Sequence, residues 1–173
     1  QARDLVVDAT SKISADSQGY VCNLSGVGGG PGMGPSQTGG SAGGGYGGMG
    51  GLGPGLAGGA TYGSATHPVD LGSAGGVNSD NNPAGPSGPG GGAIRLMVTD
   101  TLALDGTITA RGADSPHSEN AAGSGGSIWV TCGTLSGAWP AWFGPLAFSP
   151  FIADATLTLA ARLARGERVW QAH

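Results

Sequence analysis

The run GGGYGGMGGLG at residues 43–53 lies near the middle of a glycine-rich tract that spans residues 26–92. Of the 67 residues in this tract 28 are glycine, and its only charged side chains are those of Asp70 and Asp80. So much glycine leaves too few side chains for an ordinary hydrophobic core. The tract is also too poor in charge to resemble a typical disordered segment. Its composition therefore indicates a scaffold rather than an enzyme pocket.

Single large apolar residues recur through the tract, among them Met33, Tyr46, Met49 and Leu52. A purely flexible linker would consist of glycine and serine without such side chains. Bare glycine backbones can also approach one another closely. We therefore predict a packed, irregular or polyproline-II-like layer that the sparse large side chains pin in place, with an exposed flexible linker as the alternative.

Short segments on either side of the tract resemble one another. DATSKISA at residues 8–15 aligns with DGTITA at 105–110, and GAIRLMV at 92–98 aligns with GSIWVTC at 126–132. Apolar and polar residues alternate along these segments with the period of a half-buried strand. The Asp-Gly pair that opens the second segment is a strong turn signal, because glycine tolerates positive φ and aspartate bonds its own backbone. The repeating unit is therefore strand, turn, strand and glycine-rich return.

Two folds fit such short strands. Hairpins would give an antiparallel meander or sandwich, whereas coils stacked in register would give a parallel β-solenoid. Because the motifs recur in the same order, we predict an all-β, parallel β-helix in which Ile94, Ile108 and Ile128 stack as successive rungs. The predicted segments are a first β coil (1–25), a long and largely irregular glycine-rich insertion (26–92), further β coils (93–137) and an atypical aromatic- and proline-rich tail (138–173).

Charge and hydropathy exclude several classes of partner. The seven Lys and Arg residues are scattered and the formal net charge is -4, so no basic face is expected to bind nucleic acid. No apolar run is long enough to predict a membrane span. The chain begins with Gln1 rather than Met, from which we expect a processed or excised chain.

Few residues are candidates for site chemistry, and no catalytic, cofactor or metal site is predicted. Cys22 and Cys132 have no metal-ligand spacing, and they could form one disulfide or remain two buried thiols. Asn23 begins an N-x-S sequon and is a possible glycosylation site. His67 and His117 have no potential metal ligands at suitable spacing and are expected to be solvated loop residues.

The tail is unlike the rest of the chain, because most of the large aromatic residues are concentrated there. We predict that this aromatic and proline segment either caps the fold or contacts a neighbouring subunit. The candidate interface residues are Trp139, Trp142, Phe143, Phe148 and Phe151.

The motifs GGYGG (44–48), GGGAIRL (90–96) and GGSIWVT (125–131) resemble those of large glycine-rich surface and matrix proteins of bacteria and protists. The resemblance covers residues 5–137, and it implies right-handed parallel β-helix repeats, an extracellular or cell-surface location and a structural or adhesive role. It offers no catalytic residues to transfer to this chain.

These observations favour a non-enzymatic extracellular structural protein, a self-associating building block of a surface layer, matrix or filament. Such a protein would be a homo-oligomer or polymer and would need no cofactor. The alternative is an adhesin or carbohydrate-binding module whose C-terminal aromatic residues, Trp139 and Trp142 above all, stack on glycans.

Overall fold

The computed structural model describes residues 1–22, 29–80, 86–117 and 119–137. About 30% of this part is β-strand and none of it is helix. The strands are β1 (Leu5–Val7), β2 (Lys12–Ser14), β3 (Ser36–Gln37), β4 (Gly40–Ser41), β5 (Ala93–Leu104), β6 (Thr107–Thr109) and β7 (Ser127–Ser136).

The strands form three small sheets. The largest has the order β1-β5-β7 and is parallel throughout. Strands β2 and β6 form a parallel pair, and β3 and β4 form an antiparallel pair within the glycine-rich tract. Parallel neighbours require crossover connections, and the glycine-rich segments supply them here.

The strand register agrees with the sequence repeats. Ile94 of β5 is the register partner of Ile128 of β7, and Ile13 of β2 is the partner of Ile108 of β6. The predicted alternation in β5 is also present, since Ile94 and Val98 are buried whereas Arg95 between them is exposed. Parallel pairing of the repeated motifs is therefore confirmed.

The predicted parallel β-helix is wrong. Its coils would extend into a closed or solenoid sheet, whereas the described residues form small separate sheets of two or three strands. Ile108 belongs to the β2–β6 pair and not to the sheet that contains Ile94 and Ile128. The physical reason is that the chain leaves β2 and β6 for glycine-rich segments, whose backbone hydrogen bonds follow a different geometry from a β ladder.

The main apolar core lies between the two parallel sheets. Leu102 of β5 is fully buried, and Val7 of β1 and Val130 of β7 are each 2% exposed. Ile13 and Ile108 of the smaller sheet are partly buried and also pack against this cluster. A second, smaller cluster lies within the glycine-rich region and consists of Cys22, Ala74 and Val77, with Met33 packed against it.

The glycine-rich segments form a hydrogen-bonded bundle, here called the glycine bundle (residues 29–36, 41–46, 72–77, 88–92 and 121–126). Its backbone amides bond to the same neighbouring segment at every third residue. Gly72 and Gly75 donate to Gly91 and Gly88 at 2.8 and 3.0 Å. Three residues per turn is the period of a polyproline II helix, whose backbone groups are free to bond outward. The hydrogen bonding therefore supports the predicted polyproline-II-like packing.

Three segments of the bundle bond to one another in a closed cycle. Gly75 donates to Gly88 at 3.0 Å, Gly88 donates to Ala121 at 2.9 Å, and Ala121 donates to Gly76 at 3.0 Å. A second cycle lies three residues away, where the bonds run from Gly72 to Gly91, from Gly91 to Ser124 and from Ser124 to Ser73. Backbone hydrogen bonds thus join the glycine-rich tract to the chain that precedes β7, and the Ser124 hydroxyl adds a side-chain bond from the amide of Ser73 at 2.8 Å.

Close approach explains why these positions are glycine. A Cβ atom on Gly44 would lie 2.5 Å from the carbonyl oxygen of Ser73. A Cβ on Gly75 would collide with the carbonyl oxygen of Ala121, and one on Gly88 with that of Ala113. Since the obstructing atoms are backbone atoms, no side-chain rotation relieves these contacts.

Candidate functional site

The outer face of the β5–β7 pair carries an aromatic and cationic cluster. Arg95 and Trp129 are register partners on adjacent strands, and both side chains point away from the core. The guanidinium carbon of Arg95 lies 4.2 Å from the centroid of the Trp129 ring, which is a cation–π contact. Arg95 is exposed and Trp129 is partly buried, so solvent reaches both.

His67 completes the cluster from the glycine-rich tract. Its ring meets the Trp129 ring edge-on, with centroids 5.4 Å apart and an angle of 85°. The loop is fixed next to β7 because the hydroxyl of Ser127 donates to the main-chain oxygen of Asp70 at 2.6 Å. The Tyr46 hydroxyl shares a hydrogen bond with the same Ser127 hydroxyl. His67 is thus an exposed loop residue, as predicted, but its ring contacts an aromatic side chain.

Two tyrosines behind this loop form a structural network. The rings of Tyr46 and Tyr62 meet edge-on with centroids 5.0 Å apart. The Tyr62 hydroxyl donates to the main-chain oxygen of Leu71 and accepts a bond from the Ser73 hydroxyl at 2.8 Å. Burial is the largest cause that raises the pKa of both tyrosines. The phenols therefore remain protonated at neutral pH and act as hydrogen-bonding groups.

Two carboxylates act as structural hydrogen-bond acceptors. Asp16 accepts hydrogen bonds from the main-chain N–H of Arg111 at 2.8 Å and from the Lys12 ammonium at 2.7 Å. These hydrogen bonds hold the pKa of Asp16 far below its usual range, and the bond from Arg111 has the largest effect. The side chain and main-chain N–H of Thr10 similarly lower the pKa of Asp8. Both groups remain ionised at neutral pH, which suits a structural acceptor better than a general acid.

Cys22 and Cys132 are both buried, and they are not joined by a disulfide. They belong to different apolar clusters, Cys22 to the one within the glycine-rich region and Cys132 to the one between the sheets. Burial raises the pKa of both thiols, while a hydrogen bond with Ser87 partly offsets this effect at Cys22. The structure thus corresponds to the second of the two alternatives that the sequence left open.

The other predicted site residues cannot be placed. Asn23, the possible glycosylation site, lies outside the described residues. The same is true of the candidate interface residues Trp139, Trp142, Phe143, Phe148 and Phe151. Their proposed roles stay predictions.

Metal-binding clusters and membrane-spanning helices are both absent from the described ranges. No group of three or more His, Cys, Asp or Glu side chains in them is arranged to hold a metal ion. Nor do residues 1–22, 29–80, 86–117 and 119–137 include a helix with the length and hydrophobicity needed to cross a bilayer.

No family model, curated protein or solved structure matches this chain. The resemblance to glycine-rich surface and matrix proteins therefore remains a prediction. The function of this chain has to be inferred from its own geometry.

Sequence reasoning did not select Arg95, Trp129 or His67 as site residues. A signal for the first two was present, because the aligned repeats place arginine and tryptophan at equivalent outward positions. No signal pointed to His67, because its contact with Trp129 depends on how the loop that contains Asp70 is fixed to β7.

Proposed function

We propose that this protein is a non-enzymatic structural building block that associates with copies of itself in a surface layer, matrix or filament. The observation that carries the proposal is the open three-stranded parallel sheet. In the described part of the chain, β1 and β7 are its outer strands, and each pairs with β5 alone within that sheet. Such edges are templates for further strand pairing unless another element covers them.

The polarity of this sheet favours open assembly. Because all its strands are parallel, its two edges differ, and β7 of one copy placed beside β1 of another would continue the same direction. Contacts between two different surfaces are heterologous, and they produce filaments when the rotation does not close a ring. Val6 of the edge strand β1 is 70% exposed and offers an apolar contact at this edge.

The glycine bundle suits a building block that must keep its shape. Its segments are joined by backbone hydrogen bonds, and few charged groups need solvation within it. A location outside the cell is part of the proposal, and it is supported by the resemblance to glycine-rich surface and matrix proteins.

Analytical ultracentrifugation of the full chain over a wide concentration range tests the proposal. We expect the sedimentation coefficient to rise with concentration and electron microscopy to show extended particles. Val6→Lys should reduce this association, because a charge at the edge of β1 opposes strand pairing. The control is Leu52→Lys, since Leu52 is 78% exposed and lies in no strand. A wild-type chain that is monomeric at every concentration would contradict self-association.

A further inference from the structure

The cluster formed by Arg95, Trp129 and His67 has features that a structural role leaves unused. Arg3 pairs with Asp4 and Asp100, and Lys12 pairs with Asp16, but no acidic side chain of the described residues forms an ion pair with Arg95. Arg95 is also exposed on the sheet face. It is therefore a cation that is held in place by a ring and still lacks an anionic partner among those residues.

The cation–π contact restrains the guanidinium group without using its hydrogen-bond donors. The guanidinium carbon lies over the Trp129 ring, 4.2 Å from the ring centroid. The N–H groups lie around the rim of the planar group and can bind a carboxylate through two parallel hydrogen bonds. Pre-organisation of this kind reduces the entropy that a ligand must overcome.

The indole ring of Trp129 contacts two side chains but remains partly accessible to solvent. The guanidinium carbon of Arg95 lies over it from β5, and His67 meets it edge-on from the loop. Trp129 keeps part of its surface accessible, and β7 is an outer strand of its sheet in the described residues. An aromatic surface with an apolar body and polar neighbours favours a ligand that has both an apolar face and polar groups.

The surrounding charges restrict the ligand further. Burial is the main cause that raises the pKa of Tyr46, and the nearby carboxylate of Asp70 raises it further. This carboxylate forms no ion pair with Arg95. With a formal net charge of -4, the chain does not favour a dense polyanion such as a nucleic acid strand. The site supplies one guanidinium group beside one aromatic side chain, and this matches a ligand in which each ring carries one carboxylate.

We propose that Arg95, Trp129 and His67 form a binding site for an acidic saccharide, that is, a sugar ring that carries a carboxylate. The apolar C–H face of the sugar packs on the part of Trp129 that Arg95 leaves accessible, its carboxylate pairs with Arg95, and a hydroxyl group reaches His67. The proposed site uses none of the C-terminal aromatic residues and does not depend on self-association of the chain.

Titration calorimetry of the full chain with a galacturonic acid oligosaccharide tests this site, with the matched neutral galactose oligosaccharide as the control ligand. We expect saturable binding of the acidic ligand, loss of binding in Trp129→Ala, and weakening of about tenfold in Arg95→Gln, the size expected for one charge-assisted contact. Met97→Ala is the matched control, because Met97 lies on the same outer face and is 41% exposed. Its affinity should equal that of the wild type.

Arg95→Gln keeps the test decisive if Trp129→Ala fails to fold, because Arg95 is exposed and lies outside the apolar core. Equal affinity for the neutral ligand, or unchanged affinity in Arg95→Gln, would overturn the proposal. So would the absence of binding at ligand concentrations up to about 10 mM, where even weak sites are occupied. Tighter, salt-dependent binding of single-stranded nucleic acid would replace it with a different partner.

Discussion

The amide of Gly75 donates a hydrogen bond to the carbonyl oxygen of Gly88 at 3.0 Å, and the same two segments bond again three residues away, from Gly72 to Gly91 at 2.8 Å. This spacing places backbone directly against backbone, so a side chain at Gly75 or Gly88 would occupy space that a carbonyl group already fills. Glycine is therefore required in the bundle for its size.

Replacement of Gly88 by alanine should destabilise the protein. The new Cβ would collide with the carbonyl oxygen of Ala113 and lie 2.9 Å from the amide nitrogen of Gly123. We expect the free energy of unfolding to fall by about 3 kcal/mol, at the upper end for an overpacked site. Urea denaturation measures the change. The control is Gly48→Ala, because nothing lies within 4 Å of a Cβ at Gly48. Equal losses in the two variants would show that close packing is not the reason for glycine at position 88.

Truncation of Ile128 should weaken the core between the parallel sheets. Ile128 is 4% exposed and pairs with Ile94 in register. We expect Ile128→Ala to lower the free energy of unfolding by about 2–5 kcal/mol, as cavity-forming substitutions do. Met97→Ala, at a site that is 41% exposed on the opposite face, should change it by less than about 1 kcal/mol. Similar values for the two variants in thermal or chemical denaturation would contradict the assigned faces of the sheet.

The sequence repeats were sufficient to predict the pairing of Ile94 with Ile128 and of Ile13 with Ile108, because aliphatic side chains specify strand register. They were not sufficient to predict the path of the chain after β2 and β6. In the bundle, the partner of an amide such as Gly75 is specified by backbone geometry, and identical glycines carry no information about which segment they will meet. The solenoid prediction failed because it stacked Ile94, Ile108 and Ile128 as successive rungs, whereas Ile108 belongs to a separate two-stranded sheet.

Part of the candidate site could be predicted from the sequence. Alternation along β5 and β7 places Arg95 and Trp129 on the outer face, and the repeat alignment makes them neighbours. The contribution of His67 depends on the hydrogen bond between Ser127 and Asp70, which joins residues far apart in the chain. Such a contact follows from the tertiary fold and not from any local pattern.

Acid should destabilise the protein partly through Asp16. The pKa of Asp16 in the folded state lies below the unfolded value of 3.8, chiefly because the amide of Arg111 and the Lys12 ammonium bind the ionised form. The stabilisation is therefore fully present above about pH 4 and is lost as the pH falls toward the folded pKa. Melting temperatures measured between about pH 2 and pH 7 should fall less steeply on the acid side in Asp16→Asn than in the wild type.

Asp114→Asn is the control for this acid effect. The side chain of Asp114 is exposed and forms no ion pair with any of the described residues. This variant should retain the acid dependence of the wild type. If Asp16→Asn has the same acid dependence as well, Asp16 does not contribute as described.

The two thiols should be slow to react in the folded protein. Cys22 and Cys132 are buried, and loss of hydration raises the pKa of each, so the reactive thiolate is scarce and shielded. We expect slow modification by a thiol reagent in native buffer and rapid modification of both cysteines in denaturant. Immediate reaction of the native protein would contradict the burial of the thiols. The absence of titratable thiols in denaturant would show that the cysteines are instead joined in a disulfide.

Amide hydrogen exchange followed residue by residue by NMR tests the threefold packing of the glycine bundle most directly. The amides of Gly75, Gly88, Gly91, Ala121 and Ser124 donate to neighbouring segments and should be protected to a degree similar to the amides between β5 and β7. Gly48, where a side chain would meet open space, is a reference position in the same tract. Exchange of the five bundle amides at the rate of an unfolded chain, while β5 and β7 remain protected, would contradict the packing of the bundle.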